Sequence, residues 1–174
     1  EVVERDDGFV DFSGGAPATS GAYVAENNIG QSNVSSLQSF QGSRVLSFKG
    51  SNYNTMGDQI VCTDSKDGSI KWTSNLSGDM HAVGGFLGTP PLAVGGKIIV
   101  ATYNGEIQIM DSESGKIETK YATGENIRYQ PVVEGGWIYV TTTNGKLIAI
   151  NTGKSELTGW PMWGGNAQHT SIVQ

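Results

Sequence analysis

The chain has 174 residues, 25 of them glycine, with a net charge of −6 and a single cysteine. Glycine at about twice its usual share, with charged residues at 16% and hydrophobic residues at 37%, argues against a helical bundle and for many short strands joined by tight turns. The acidic balance excludes a phosphate-gripping nucleic-acid surface, no apolar run reaches the roughly 18 residues of a membrane-spanning helix, and Cys62 alone excludes an internal disulfide.

Residues 1–35 begin at Glu1 rather than Met, as expected of a processed or partial chain, and carry an acidic cluster of Glu1, Glu4, Asp6 and Asp7. They hold two strand candidates, Gly8-Phe-Val-Asp-Phe12 and Ala22-Tyr-Val-Ala25, enough for part of one structural unit. Over 36–76, Gly42–Phe48 reads as a strand and Lys49–Met56 as an insertion rich in Gly, Ser and Asn. Gln59–Asp64 and Ser69–Ser74 read as strands on either side of the turn Asp64-Ser-Lys-Asp-Gly68. A second insertion, Asp79–Gly88, contains Met80, His81 and Phe86. Over 88–122, Lys97–Tyr103, Glu106–Met110 and Lys116–Ala122 are the expected strands, with Gly95-Gly96 and Asn104-Gly105 as tight hairpin turns and Asp111-Ser-Glu-Ser-Gly115 as the last turn. Over 128–160 the same reading returns as Trp137–Thr143 and Lys146–Ile150, with Gly135-Gly136 and Asn144-Gly145 between strands. The tail, 161–174, follows a Trp-Pro-Met-Trp-Gly-Gly run beginning at Trp160.

The two later segments superpose without a gap: Pro91 on Pro131, Gly96 on Gly136, Asn104 on Asn144, Gly105 on Gly145, Asp111 on Asn151, each forty positions apart. The 36–76 segment is an earlier copy with slippage. Each copy reads as a four-stranded antiparallel meander, and Ile98-Ile99-Val100, apolar on both faces, reads as an inner strand covered on both sides. Four-stranded sheets repeating at about 40 residues define an all-β propeller. A β-sandwich is the competing all-β reading, but a sandwich does not require the same turn chemistry at a fixed offset.

On these residues the chain resembles the pyrroloquinoline-quinone-like (PQQ-like) repeat family of β-propellers. The family pattern is a strand ending in Asp, a short spacer, Gly, and an apolar residue closely followed by Trp. It stands here as Gln59 to Trp72, with Asp64, Gly68 and Trp72 in the marked places. The second copy puts Thr119 where the pattern has Trp, and the third shortens its turn to Asn151-Thr-Gly153. The resemblance covers about residues 36–160 and implies six to eight blades, of which this chain supplies about three. Three blades cannot close a ring, so the resemblance implies further blades from another chain, a second copy or a longer precursor. It also implies a bacterial extracytoplasmic setting, as in the outer-membrane assembly lipoprotein propeller. The Trp160–Gly165 run is similar to the stretch that borders such propellers. Its two tryptophans read either as packing on the last blade or as a stacking pair for a ligand.

A quinone dehydrogenase of this family would carry vicinal cysteines and a calcium shell, and neither pattern is present here. The residues show no haem-attachment, P-loop or nucleophile-elbow motif, and no cofactor is expected. Asp64-x-x-Asp67-Gly68 lacks the distal Glu of an EF-hand loop and reads as a turn. His81 and His169 have no second ligand nearby in sequence, and Cys62 reads as a small buried hydrophobe. The expectation is therefore a non-catalytic interaction propeller whose partners are proteins or further blades, with neither nucleic acid nor a transmembrane segment involved. Its candidate contact loops are the insertions Lys49–Met56 and Asp79–Gly88. The alternative is a fragment of a quinone-dependent dehydrogenase whose active site lies on other blades. A third arrangement has identical chains completing one another's ring.

Overall fold

The computed structural model describes residues 44–79 and 87–166, all within one compact unit, Gln41–Gln174. The described residues form twelve strands and no helix. The first sheet is β1 (Leu46–Phe48), β2 (Ser51–Met56), β3 (Gln59–Asp64) and β4 (Ile70–Asn75), hydrogen-bonded in that order. The second is β5 (Leu92–Val94), β6 (Lys97–Ala101), β7 (Glu106–Asp111) and β8 (Ile117–Ala122). The third is β9 (Val132–Glu134), β10 (Trp137–Thr141) and β11 (Leu147–Asn151). A two-residue strand, β12 (Gly159–Trp160), joins the second sheet on the free side of β5. All of these pairings are antiparallel, as a meander of hairpins dictates.

Two apolar layers hold the sheets face to face. Between the first and second lie Tyr53, Ile60, Cys62, Trp72, Ile98, Val100 and Met110. Between the second and third lie Ile99, Ile107, Ile109, Val133, Ile138 and Val140. The second sheet is thus sandwiched, and Ile98, Ile99 and Val100 are all fully buried, because alternate residues of one strand face opposite neighbours.

Three local readings are corrected. Lys49–Met56 is not an insertion: Ser51–Met56 is strand β2, with Ser51, Tyr53 and Thr55 buried against the second sheet. Lys49-Gly50 is the hairpin turn equivalent to Gly95-Gly96 and Gly135-Gly136. Lys49 takes φ 49°, the value a glycine supplies in the other two copies (54° and 55°). Of the segment Gly42–Phe48, the described part Leu46–Phe48 is therefore the first strand of its sheet, not the second. The Asn-Gly loops are three residues long rather than two. Only the glycines, Gly105 and Gly145, have positive φ (87° each), and each N–H closes a turn on the Thr102 or Thr142 carbonyl. Asn104 and Asn144 instead accept hydrogen bonds from the Thr102 and Thr142 hydroxyls.

Among the described residues the third meander has three strands. After the short turn at Asn151, where the Gly153 N–H donates to the Asn151 side chain (2.8 Å), the chain leaves its own sheet. It crosses to the inner edges, where the Gly95 N–H donates to the Thr158 carbonyl (2.7 Å) and the Val133 N–H to the Pro161 carbonyl (2.9 Å). Residues 158–161 thus strap the inner strands of the second and third sheets together, and the tryptophan run is not a fourth strand of the third.

The first and second sheets are joined through a turn. The Trp72 indole N–H donates to the Ser112 carbonyl (3.1 Å), and a Cβ added to Gly115 would fall inside the Trp72 ring. Gly115 also has φ 72°. Gly153, at the same place in the third copy, has φ 73° but open space around it. Gly115→Ala is expected to destabilise the fold by about 3 kcal/mol, combining left-handed strain with overpacking, and Gly153→Ala by about 1 kcal/mol. Urea unfolding of the two variants measures the difference.

Candidate interaction surface

The Asp-to-Gly turns are built by carboxylates gripping backbone. Asp64 Oδ1 accepts the Lys66 N–H and Asp67 Oδ1 accepts the Ser69 N–H, both at 2.8 Å, while the Gly68 N–H bonds the Asp64 carbonyl. Asp111 Oδ1 accepts from the Glu113 and Ser114 N–H groups (3.0 and 2.9 Å) and from the Ser114 hydroxyl. These bonds favour the ionised form. The backbone N–H of Lys66 and then the Lys71 side chain hold Asp64 below the usual aspartate range, and Ser114 chiefly does so for Asp111. The carboxylates that suggested a cation loop are engaged in shaping the turn. Among the described residues no three His, Cys, Asp or Glu side chains assemble into a metal-binding cluster.

Burial pushes the Cys62 thiol up, as it does the neighbouring Tyr53 hydroxyl. Cys62 has no exposed surface and sits opposite Trp72 on β4. It is packing, not a nucleophile poised for attack.

Two parts of the remaining surface place aromatic and charged side chains together. One is the inner-edge groove, a cavity of about 430 Å³ lined by Arg44, Pro90, Pro91, Gln130, Trp160 and Trp163. Trp160 packs against the core between the first and second sheets, while Trp163 is half exposed and carries the Arg44 guanidinium 4.0 Å above its ring. The two tryptophans therefore divide the roles between them: Trp160 packs, not on the last sheet but beside β5, and Trp163 faces outward. The second part is the loop end of the second and third sheets. There the Arg128 guanidinium lies 4.5 Å over the Tyr103 ring, and Glu125 is bonded by Lys146 (2.7 Å) and Asn144 (2.8 Å).

Of the residues singled out from sequence, Asp64 and Asp111 end strands β3 and β7, and Gly68, Asn104, Gly105, Gly115, Asn144 and Gly145 lie in the connections between strands. Trp72 lies on β4 and is brought onto the Asp111–Gly115 turn. Met80, His81 and Phe86, the proposed contact loop, lie outside the described residues, as do His169 and the acidic cluster near Glu1. Sequence reading missed the Arg44–Trp163 pair and the strap, since both depend on segments far apart in the chain.

The carboxylate grip has a pH signature. Asp111 has a lowered folded value, so its contribution is complete above the unfolded aspartate value of about 3.9 and is lost as pH falls through the folded one. Stability is expected to hold from neutrality to about pH 5 and to decline below about pH 4. Asp111→Asn should flatten that decline, as measured by urea midpoints across the acid range.

Residues 16–122 match the family model described as outer membrane protein assembly factor BamB. Among solved structures, BamB from Moraxella catarrhalis is 22% identical, with 59% of this chain and 30% of that one aligned at a TM-score of 0.47. A europium-containing methanol dehydrogenase is 20% identical over 66% of this chain and 23% of its own, with a TM-score of 0.52. The quinohemoprotein alcohol dehydrogenase ADHIIG from Pseudomonas putida HK5 is 15% identical over 69% and 27%, with a TM-score of 0.51. At these identities the two dehydrogenases establish a shared propeller fold and nothing finer. This chain spans between 23% and 30% of the length of the three structures. No curated protein matches it.

Proposed function

The chain belongs to the family of outer membrane protein assembly factor BamB, and from that premise we propose that it is a non-catalytic scaffold: three blades of a PQQ-like propeller, completed by further blades and binding proteins in an extracytoplasmic compartment of a bacterium. The observation that carries this reading is the outward face of the third sheet. In the first two sheets the corresponding face is buried by the next sheet, with Ile60 and Ile107 fully covered. The equivalent of Ile107 forty residues on is Leu147, and it is 68% exposed; Trp137 nearby is 39% exposed. An apolar sheet face repeated from covered ones is built to be covered.

The non-catalytic part of the proposal rests on where the polar groups go. Asp64, Asp67 and Asp111 bond their own turns, Lys97 is bound by Glu118 and Asp111, and Lys120 by Glu106. Among the described residues, these carboxylates and amines are engaged with one another or with backbone, which supports a structural role for them over moving a proton to a substrate. Glu106 illustrates this. Burial raises its carboxyl, but the hydrogen bonds from Gln108 and Lys120 outweigh it and hold the group ionised.

Native mass spectrometry of the protein isolated from its source cell tests the reading. The expected result is a complex heavier than one chain that releases this chain and other protein segments on denaturation. A folded monomer with no partner would sink it, and quinone-dependent alcohol oxidation by the isolated complex would overturn the non-catalytic assignment.

A further inference from the structure

A cavity of about 360 Å³ lies between the first and second sheets, at the end where Lys49-Gly50 and Gly95-Gly96 make their turns. Phe48, Lys49, Ser51 and Tyr53 line it from the first sheet, and Ala93 and Glu113 from the second. Its walls are described residues throughout. The residues that border undescribed stretches lie elsewhere. Leu87 bonds Gly57 at the opposite end of the first sheet, Arg44 lines the inner-edge groove, and Asn166 lies beside Gly135 of the third sheet.

The walls hold donors that are short of acceptors. Ser51 and Tyr53 are 7% and 4% exposed. Ser51 Oγ accepts from the Lys71 ammonium (2.9 Å), which leaves its own hydrogen to donate. The Tyr53 hydroxyl reaches the Ser112 carbonyl at 3.4 Å, longer than an ordinary O–H···O bond. Lys71 and Lys97, also on the walls, are matched by carboxylates: Asp64 (3.3 Å) for the first, Asp111 and Glu118 (3.6 and 2.8 Å) for the second. Lys49 has no such match among the described residues, and its ammonium lies 5.5 Å from the Phe48 ring. Glu113, the carboxylate on these walls, stands exposed in its turn.

Two departures from the repeat mark the place. Lys49 takes φ 49° where the other two copies have Gly95 and Gly135, so a lysine is held in a conformation that favours glycine. Counting from the same turn, Ser51 and Tyr53 stand where the second sheet has Lys97 and Ile99, and Ile99 is fully buried in the aliphatic layer of the second join. The first join has hydroxyls where the second has aliphatic packing.

We propose that this cavity binds a small organic acid, its carboxylate accepting from Ser51, Tyr53 and Lys49 and its apolar body against Phe48 and Ala93. The volume is at the lower end for ligand sites and suits a molecule of one ring. A carboxylate gives the two buried hydroxyls the acceptor they lack and gives Lys49 a charge partner. The strained backbone at Lys49 is what sets an ammonium at the cavity where the sister turns have none. The cavity is complete within the first two sheets, so the inference does not depend on the scaffold reading.

The test adds benzoate to the whole chain at neutral pH and follows backbone amide NMR shifts and calorimetry. The expected result is saturable binding, with the shifts centred on Ser51, Tyr53, Gly96 and Ser112. Benzyl alcohol, the same ring without the charge, should bind about tenfold more weakly or worse. Lys49→Gly should weaken benzoate by about tenfold or more. The same variant should leave the urea midpoint unchanged or raise it, because glycine relieves the left-handed strain. Lys49→Arg should keep most of the affinity, and Tyr53→Phe should weaken it severalfold with the ring still against Trp72. The proposal is overturned if benzoate binding does not saturate, or if its affinity is indifferent to Lys49→Gly or to Tyr53→Phe. It is also overturned if benzyl alcohol binds equally well, or if inorganic phosphate binds as tightly as benzoate, since the site would then take any anion. Whether the chain is isolated with protein partners bears on the scaffold reading and leaves this inference as it stands.

Discussion

One contact fixes how the sheets stack: the Trp72 indole lying on the Asp111–Gly115 turn of the following sheet. The turn must be tight, so that the Ser112 carbonyl points at the indole N–H, and bare, so that Gly115 leaves room for the ring. The Asp111 carboxylate secures the first condition by gripping the backbone N–H groups of Glu113 and Ser114. The Tyr53 hydroxyl reaches the same carbonyl more distantly (3.4 Å) and its ring leans on Trp72 with 6.0 Å between centroids. A sheet that ends in Trp therefore needs a neighbour whose third strand ends in an Asp-to-Gly turn. That requirement ties the repeat motif to the stacking of one blade on the next.

The second join is made differently. Thr119 stands where Trp72 stands, and the facing turn is the shortened Asn151-Thr-Gly153, with nothing over its glycine. The aliphatic layer of Ile99, Ile107, Ile109, Val133, Ile138 and Val140 carries this contact, aided by the strap at 158–161 and by Glu125, which ties the β8–β9 connection to Asn144 and Lys146. The motif weakens along the chain as the sheets approach the uncovered face of β10 and β11. An apolar layer without a directional contact holds position less specifically, and the strap supplies backbone hydrogen bonds in its place.

Most of this architecture was legible where turn chemistry is rigid. The recurrence of Gly-Gly, Asn-Gly and Asp-to-Gly turns fixed the repeat, because positive φ leaves few residue choices. The burial of Ile98, Ile99 and Val100 followed from their continuous apolar run. Strand β2 escaped notice because its inward residues are Ser51, Tyr53 and Thr55. Its period of two is hidden by polar side chains of strand-compatible size, and its opening turn places Lys49 where glycine is expected. The first copy runs from Gly50 to Asp64, one residue less than Gly96 to Asp111, because its β2–β3 connection is the two-residue Gly57-Asp58. β12 could not be seen at all, since a two-residue strand carries no local pattern and is defined by its partner β5. The inner-edge groove was out of reach for the same reason: Arg44 and Trp163 meet across most of the described chain.

A double-mutant cycle between Trp72→Phe and Asp111→Ala tests the blade-to-blade contact most directly. The first removes the indole N–H, and the second releases the turn that positions the Ser112 carbonyl and Gly115. If the two act through one contact, each lowers the urea midpoint alone and the pair lowers it by clearly less than the sum of the two. Strict additivity would mean that the indole and the turn stabilise their own sheets independently, and that the stacking of blades has another origin.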